Sequence, residues 1–218
     1  MKRIYLVVEG QTEQEFVCNV LSPYLSSKGV LSVTPILIRT SKTGRGGHVS
    51  FHHLLKTIKP LLVSNKNDFL VTTFIDYFRI PRNMPRYEEC MANGNDNLKV
   101  AALEASMESE VNDYRFFPYI QLHEFEALLF ANNNGFEEYF SSGQSDKTAA
   151  IISEFPNPED INTAPDTAPS KRILAIDKGY DKVILGNLIA MDVGIDDMLL
   201  KCPRFSSWVS KLIELSKQ

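Results

Sequence analysis

Residues 6–17, LVVEGQTEQEFV, begin as an apolar strand, turn at Glu9-Gly10 and continue into the acidic start of a helix. The run from residue 3 to residue 9 is almost entirely apolar, which is typical of a strand covered on both faces of a parallel sheet. Its last residue is nevertheless a carboxylate, Glu9, and Glu13 follows one helical turn later. These two acids are either ordinary first-turn residues of a helix or half of a metal site.

The rest of the N-terminal part alternates strands with helices. Apolar runs predict further strands at residues 32–39, 69–75 and 116–121. Helical periodicity predicts helices at residues 12–27, 51–64 and 96–112, and another beginning near Glu124. Alternation of this kind predicts an α/β fold, with a mostly parallel, Rossmann-like sheet of about four strands flanked by helices.

The pattern changes after Gly135, where short helical segments are separated by a Pro- and Thr-rich stretch. Residues 170–217 are predicted to be helical, with Pro203 in the first turn of the last helix. We expect an α/β core at residues 1–132 and a helical C-terminal extension at residues 133–218, packed together as one compact unit.

The overall composition is that of a soluble globular protein, and the formal net charge of −4 argues against a constitutively basic nucleic-acid coat protein. Cys18, Cys90 and Cys202 lie far apart and indicate neither a disulfide framework nor a zinc cluster. No apolar run approaches the roughly 18 residues that span a bilayer, and the N-terminus enters a strand directly. We therefore expect a cytoplasmic protein without a membrane partner.

Acids follow three of the four predicted strands, at the edge where a parallel sheet binds its ligands. Glu9 follows the first strand, Asp76 the third, and either Glu124 or Glu126 the fourth, while Glu13 lies on the same side as Glu9. Carboxylates crowded in one crevice repel each other unless a cation neutralises them, and oxygen ligands suit Mg²⁺ or Mn²⁺. Each acid alone could also be a helix cap or a turn former, so the joint pattern carries the prediction.

Four segments in order along the chain resemble the bacterial family DUF4276. These are VVEGQTEQEF at residues 7–16, VTTFIDYFRIP at 71–81, PYIQLHEFEALLF at 118–130 and APSKRI at 168–173. The family is similar to Toprim-domain proteins, including the nuclease half of OLD-type (overcoming lysogenization defect) enzymes. The resemblance therefore implies a Toprim-like sheet.

The resemblance also implies roles for individual residues. Glu9 matches the catalytic glutamate, and Asp76 matches the first acid of an Asp-x-Asp pair whose second position is here Phe78. Glu13 matches a further metal-binding acid, which leaves Glu15 as the acid of a helix capping box. A downstream acid, Glu124 or Glu126, would complete the site, and a basic residue, Lys171 or else Arg172, would stabilise the transition state.

The implied function is a Mg²⁺- or Mn²⁺-dependent nuclease that acts on DNA or RNA, with a separate ATPase in anti-phage defence. The alternative is a non-catalytic Toprim-like subunit that binds an ATPase or nucleic acid, because the Asp-x-Asp pair is incomplete. Toprim primases suggest nucleotidyl transfer as a third function, against which the lack of an accessory primase region counts. A homodimer is compatible with either of the first two functions.

Basic residues near the predicted site are candidates for gripping nucleic acid. They lie in the Gly-rich stretch TSKTGRGGHVS at residues 40–50, just after Asp76, and in APSKRI. The candidates are Lys42, Arg45, Arg79, Arg82 and Arg172. Together with Tyr77 and Phe78 they could line a nucleic-acid path, although ordinary charged surface loops would have the same composition.

Overall fold

The computed structural model describes residues 1–38, 50–64, 66–161 and 166–218. Lys42 and Arg45 lie outside the described residues. Within the described chain, the sheet has five strands, all paired in parallel. They are β1 (Arg3–Val8), β2 (Ser32–Leu37), β3 (Phe69–Asp76), β4 (Phe116–Phe117) and β5 (Ile120–Gln121). The order is β2-β1-β3-β4, and β5 also pairs with β3, so β1 and β3 form the centre.

The helices lie between and after these strands. Up to β5 they are α1 (Gln11–Phe16), α2 (Ser22–Ser27), α3 (Phe51–Leu62), α4 (Tyr87–Met91) and α5 (Asp96–Val111). After β5 they are α6 (Asn134–Tyr139), α7 (Ser142–Glu154), α8 (Pro169–Ile176), α9 (Leu185–Val193), α10 (Ile195–Lys201) and α11 (Pro203–Ser216). The predicted α/β class with a parallel sheet is confirmed. No helix in the described parts of the chain is long and apolar enough to cross a membrane.

Alternate residues of the central strands cover the two faces of the sheet, as the two-residue repeat of a strand requires. Leu6 and Phe74 belong to the core shared with α1 and the C-terminal helices. Val7 and Val71 belong to the core on the opposite face, together with residues of α3 and α5. Burial on both faces explains why β1 and β3 are almost continuously apolar.

The predicted helix at residues 12–27 contains a π-helical segment, Val17–Leu21, between α1 and α2. Pro23 lies two residues after the end of this segment, in the first turn of α2, and has no backbone N–H to donate to the preceding turn. A widened turn before a proline is one way for a helix to accommodate that missing donor. The helical direction is nevertheless kept, because residues at both junctions have right-handed helical dihedrals.

The predicted fourth strand is divided into β4 and β5, because Pro118 cannot donate a hydrogen bond to β3. At this point the Thr73 side chain, and not its backbone, hydrogen-bonds to the neighbouring chain segment. Its hydroxyl accepts a hydrogen bond from the Tyr119 N–H at 2.9 Å and donates one to the Tyr119 carbonyl at 2.7 Å. The chain therefore leaves the edge of the sheet and returns to it two residues later.

One further prediction of local structure was wrong. The stretch at residues 77–95, predicted to be irregular, contains the short helix α4. The helix predicted near Glu124 is present, as a 3₁₀ helix, Phe125–Ala131, in which every residue is buried. Because the whole segment is packed in the core, its tertiary contacts determine its backbone conformation and override the α-helical propensity of its residues.

The C-terminal helices pack directly on the sheet. The indole N–H of Trp208, on α11, donates a hydrogen bond to the hydroxyl of Thr72 at 3.0 Å. The ring of Trp208 also stacks on Phe74, with 5.6 Å between the ring centroids, and on Tyr119 at 4.4 Å. Pro203 lies in the first turn of α11, as predicted. The boundary near residue 132 remains a prediction, but the core on this face of the sheet is continuous across it.

Candidate functional site

A cleft of about 380 Å³ opens at the carboxyl ends of β1 and β3. Its charged residues are Glu9, Asp76, Arg79, Glu124, Lys171 and Lys182. Parallel pairing brings the first two together, because Val8 pairs with Phe74 and both strands end at the same edge. The site therefore lies where a parallel α/β sheet binds ligands.

Asp76 is the most strongly perturbed acid of the cleft. Its Oδ1 accepts a hydrogen bond from the Phe125 N–H at 2.9 Å, which links the end of β3 to the start of the 3₁₀ helix. Burial, followed by the charges of Glu13 and Glu9, raises the pKa of Asp76 well above its ordinary value. Burial and the surrounding acids thus both disfavour the charged form of Asp76 in the absence of a cation.

Glu9 is partly open to solvent, but the surrounding protein atoms still displace much of the water around its carboxylate. This desolvation, followed by the charge of Glu13, raises the pKa of Glu9. The backbone N–H of Asp76 donates a hydrogen bond to the Glu9 carboxylate, and Lys182 lies close enough to attract it. The two strand-end acids are therefore in direct contact through the backbone.

Glu13, not Glu15, is the capping acid of α1. The Glu13 side chain is 3% exposed, and its Oε2 accepts a hydrogen bond from the Gly10 N–H at 2.8 Å. The prediction for Glu15 was wrong, because it required Thr12 as the N-cap residue of α1, whereas the N-cap is Gly10, two residues earlier, so that Glu13 is the third helical residue. Glu15 is exposed and accepts a hydrogen bond from Asn19. Capping holds Glu13 beside the acids of the strand ends, where its charge raises the pKa of Asp76.

Glu124 and Glu126 both lie at the site, and the choice between them as a metal ligand stays a prediction. Glu124 accepts hydrogen bonds from the Ser170 N–H at 2.9 Å and from the Ser170 hydroxyl at 3.0 Å. Glu126 lines a smaller cavity of about 180 Å³ beside the cleft, which Asp76 and Glu124 also line. Its Oε1 is buried without a hydrogen-bond partner. Burial and the charge of Glu124 raise the pKa of Glu126 to about 7.

Two residues of the site escaped the sequence analysis. Burial by itself lowers the pKa of Lys182, but the charges of nearby acids, led by Glu13 and Glu126, raise it overall. Tyr180 lines the smaller cavity, and its buried hydroxyl has no hydrogen-bond partner. The sequence did carry an electrostatic signal for Lys182. This lysine lies just before the N-terminus of α9, where the helix dipole disfavours a positive charge.

Only some of the predicted basic residues in the described chain line the cleft. Lys171 lines the cleft, and so does Arg79, which has the left-handed φ of 61° and lies over the ring of Phe78. Arg172 instead donates to the Thr167 carbonyl at 2.9 Å and packs over Phe155, outside the cleft lining. Arg82 is exposed and is likewise not among the residues that line the cleft.

The donor chemistry of the site fits a divalent cation, but the side chains are not pre-positioned for one. Among the described residues, no three His, Cys, Asp or Glu side chains are placed so that they could hold a metal ion together. Glu13, Glu124 and Asp76 are each turned toward a backbone or hydroxyl donor instead. Cation binding therefore requires these side chains to rotate. The unpartnered Glu126 oxygen is already free to act as a ligand.

We expect Glu126→Gln to stabilise the metal-free protein at high pH. The pKa of Glu126 rises from 4.5 to about 7 on folding, so its favourable contribution is present at low pH and is lost as the pH rises through about 7. In EDTA at pH 8 the variant should therefore be more stable by on the order of 3 kcal/mol, with a smaller difference at pH 5. Urea unfolding at both pH values measures this. Glu15→Gln, at an exposed site, is the control, and an equal effect of Glu126→Gln at both pH values would contradict the prediction.

Comparison with known proteins gives a family and a fold. Residues 8–213 match the family model described as Domain of unknown function (DUF4276). The fold is similar to the C-terminal region of the Burkholderia pseudomallei OLD protein, with 14% identity, a TM-score of 0.50 and coverage of 98% of this chain and 96% of that chain. The corresponding region of the Xanthomonas campestris pv. campestris OLD protein gives 13% identity and a TM-score of 0.45, with coverage of 100% and 99%.

Comparison with curated proteins gave no significant match. The prediction of a Toprim-like α/β fold is confirmed by the similarity to the Burkholderia structure, which at this level of identity concerns the fold alone. The family resemblance is confirmed over nearly the whole chain. The chain belongs to the DUF4276 family.

Proposed function

We propose that the protein is a Mg²⁺- or Mn²⁺-dependent nuclease that hydrolyses phosphodiester bonds in DNA or RNA. The observation that carries this proposal is the group of carboxylates at one cleft, where burial, and then the charges of the neighbouring acids, raise the pKa of Asp76. Keeping these acids together costs folding free energy, and a bound cation would offset that cost. The likeness to OLD proteins supports the proposal only through the fold.

The residues that would hold the cation are Glu9, Glu13, Asp76, Glu124 and Glu126. A bound divalent cation supplies charge neutralisation at the phosphate and lowers the pKa of a coordinated water. Lys171 and Lys182 line the same cleft and are suited to hold the phosphate oxygens by charge. Lys182 interacts with four of the acids in the metal-free protein, so neutralisation of the acids would free it for the phosphate.

The partners proposed for this site are nucleic acid and a separate ATPase. The sequence contains no Walker A motif, since the Gly-rich stretch at residues 40–50 lacks the closing Lys-Ser or Lys-Thr. We propose that such an ATPase is a separate chain. The family resemblance suggests a role in anti-phage defence, and the widely spaced cysteines, which indicate no disulfide framework, suggest a cytoplasmic location.

One observation favours the second candidate function, a non-catalytic subunit that binds an ATPase or nucleic acid. Phe78 lies where the resemblance expects the second aspartate of a metal-binding pair, and it lines the cleft beside Asp76. The site then depends on Glu124 and Glu126 for ligands that the strand end does not supply. Measured cleavage decides between the two functions.

The test is incubation of the purified protein with supercoiled plasmid, single-stranded DNA and RNA, in Mg²⁺, Mn²⁺ or EDTA. The nuclease proposal expects cleavage of at least one substrate with either cation and none in EDTA. The protein is tested alone and with any ATPase encoded beside it. Absence of cleavage in every combination, with binding of nucleic acid retained, would favour the non-catalytic subunit.

A further inference from the structure

We propose that Phe78 is a stacking platform for an unpaired nucleobase, so that the cleft takes single-stranded nucleic acid or a frayed strand end. This inference rests on the proposed function and names its substrate class. Phe78 lies two residues beyond Asp76 and lines the same cleft as Glu9 and the two lysines. An aromatic ring in the same cleft as the strand-end acids could contact the base next to a phosphate that those acids hold through a cation.

The backbone holds Phe78 in place while leaving its ring half-buried. The Phe78 N–H donates a hydrogen bond to the His123 carbonyl at 2.7 Å, and the Ile80 N–H donates one to the Tyr77 carbonyl at 3.0 Å. His123 itself has a left-handed φ of 68°, and it precedes Glu124 of the site. The ring is therefore positioned by the same backbone that positions the acids, which suits a rigid platform.

The cleft has two chemically different sets of lining residues. One set is apolar and consists of Leu54, Ile75, Phe78, Ile80 and Pro81. The other is ionic and contains the acids and lysines described above. A nucleotide is divided in the same way, into an anionic phosphate and an apolar base face. A metal-bound phosphate needs only the ionic residues. Leu54, Ile75 and Pro81 are buried, so half-buried Phe78 and Ile80 provide the apolar surface left for the base.

Arg79 extends this platform toward solvent. Its guanidinium carbon lies 5.1 Å from the centre of the Phe78 ring, in a cation–π contact, and the residue is exposed. Its φ of 61° is in the left-handed region that non-glycine residues rarely adopt, a feature that clusters at ligand-binding sites. An exposed guanidinium beside an aromatic ring offers both a stacking surface and a charge for a neighbouring phosphate.

The geometry favours an unpaired base over a duplex. Inside a duplex both faces of each internal base are covered by the neighbouring base pairs, so no face is available to Phe78 unless the base is extruded. A single strand exposes these faces without that cost. Stacking does not distinguish DNA from RNA, because every base has a π-face, so the two are separate arms of the test.

The test measures fluorescence anisotropy of short labelled oligonucleotides in Ca²⁺, added in place of the cations expected to support cleavage. Single-stranded DNA, single-stranded RNA and a blunt duplex are compared with wild type, Phe78→Ala, Phe78→Leu and Phe78→Trp. We expect Phe78→Ala to weaken single-strand binding by about 5- to 150-fold. Phe78→Leu keeps an apolar side chain that can pack, yet it should also weaken binding, whereas Phe78→Trp should retain it.

Abasic oligonucleotides separate stacking from a structural role. Removing the stacked base should weaken binding by wild type about as much as Phe78→Ala does, and should cause little further loss in that variant. Thermal unfolding of each variant checks the fold. Equal binding of duplex and single strand, unchanged binding by Phe78→Ala, or no measurable binding of any oligonucleotide would overturn the inference.

Failure of this inference and failure of the nuclease proposal give different results. Base-dependent binding through Phe78 without cleavage would refute the nuclease while leaving the stacking platform intact. Metal-dependent cleavage of single strand and duplex at equal rates, unaffected by Phe78→Ala, would refute the stacking platform alone.

Discussion

Asp76→Asn is expected to lower the rate of metal-dependent cleavage by at least about 100-fold. Removing a group that only supports a metal ligand costs up to about that much, and loss of a ligand itself should cost no less. Asn retains an oxygen that can accept the hydrogen bond from the Phe125 N–H, so the local structure is kept. The substitution removes a charge from the centre of the acid cluster, because the pKa of Asp76 responds to Glu13, Glu9, Glu126 and Glu124. Initial cleavage rates of the substrate found to be cut measure the effect.

The matched control is Asp68→Asn, an exposed acid just before the other end of β3. It changes the same functional group and should leave the cleavage rate unchanged. In EDTA the Asp76→Asn protein should be at least as resistant to thermal unfolding as wild type, because repulsion is relieved. Cleavage by Asp76→Asn at the wild-type rate would show that the acid cluster is not the catalytic site.

The largest expected effect on stability is that of Phe74→Ala, at about 3–5 kcal/mol. Phe74 is fully buried on β3, and its ring contacts Phe16, Tyr119, Phe205 and Trp208. Truncation leaves a cavity between the sheet and α11, which rigid strands and helices on both sides cannot close. Urea unfolding measures the loss of free energy. Phe74→Leu, which keeps most of the volume, is the control and should cost less than about 2 kcal/mol.

The same experiment tests the proposal that the core and the C-terminal helices form one unit. Trp208 is the only tryptophan of the chain and lies at their junction, so its fluorescence reports the packing of α11 on the sheet. Fluorescence and far-ultraviolet circular dichroism should give the same transition in urea. Loss of the fluorescence signal well before the dichroism signal would show that the helical part unfolds separately.

The strand-end acids could be predicted from the sequence because their placement depends on a general rule. Parallel strands end at one edge of a sheet, so an acid directly after β1 and one ending β3 have to approach each other. Apolar runs mark such strands in any sequence. That is why the sequence alone assigns Glu9 and Asp76 to one crevice, although their roles remain predictions.

The rest of the site depends on packing that leaves no local pattern. Tyr180 and Lys182 come from a turn between α8 and α9, and only the packing of those helices on the sheet brings them to the acids. The hydrogen bonds from Ser170 to Glu124 likewise join segments 46 residues apart in the chain. Pro118, by contrast, was a visible signal that the last strand would be divided.

Anomalous scattering from Mn²⁺ soaked into crystals of the protein tests the central claim, that the strand-end acids form a divalent-cation site. We predict a manganese peak within ligand distance of both Glu9 and Asp76. Glu13, Glu124 or Glu126 should rotate away from its position in the metal-free protein to become a further ligand. The peak should be absent from crystals of Asp76→Asn. Manganese bound elsewhere, or no manganese at this edge of the sheet in wild-type crystals, would show that the strand-end acids do not form a divalent-cation site.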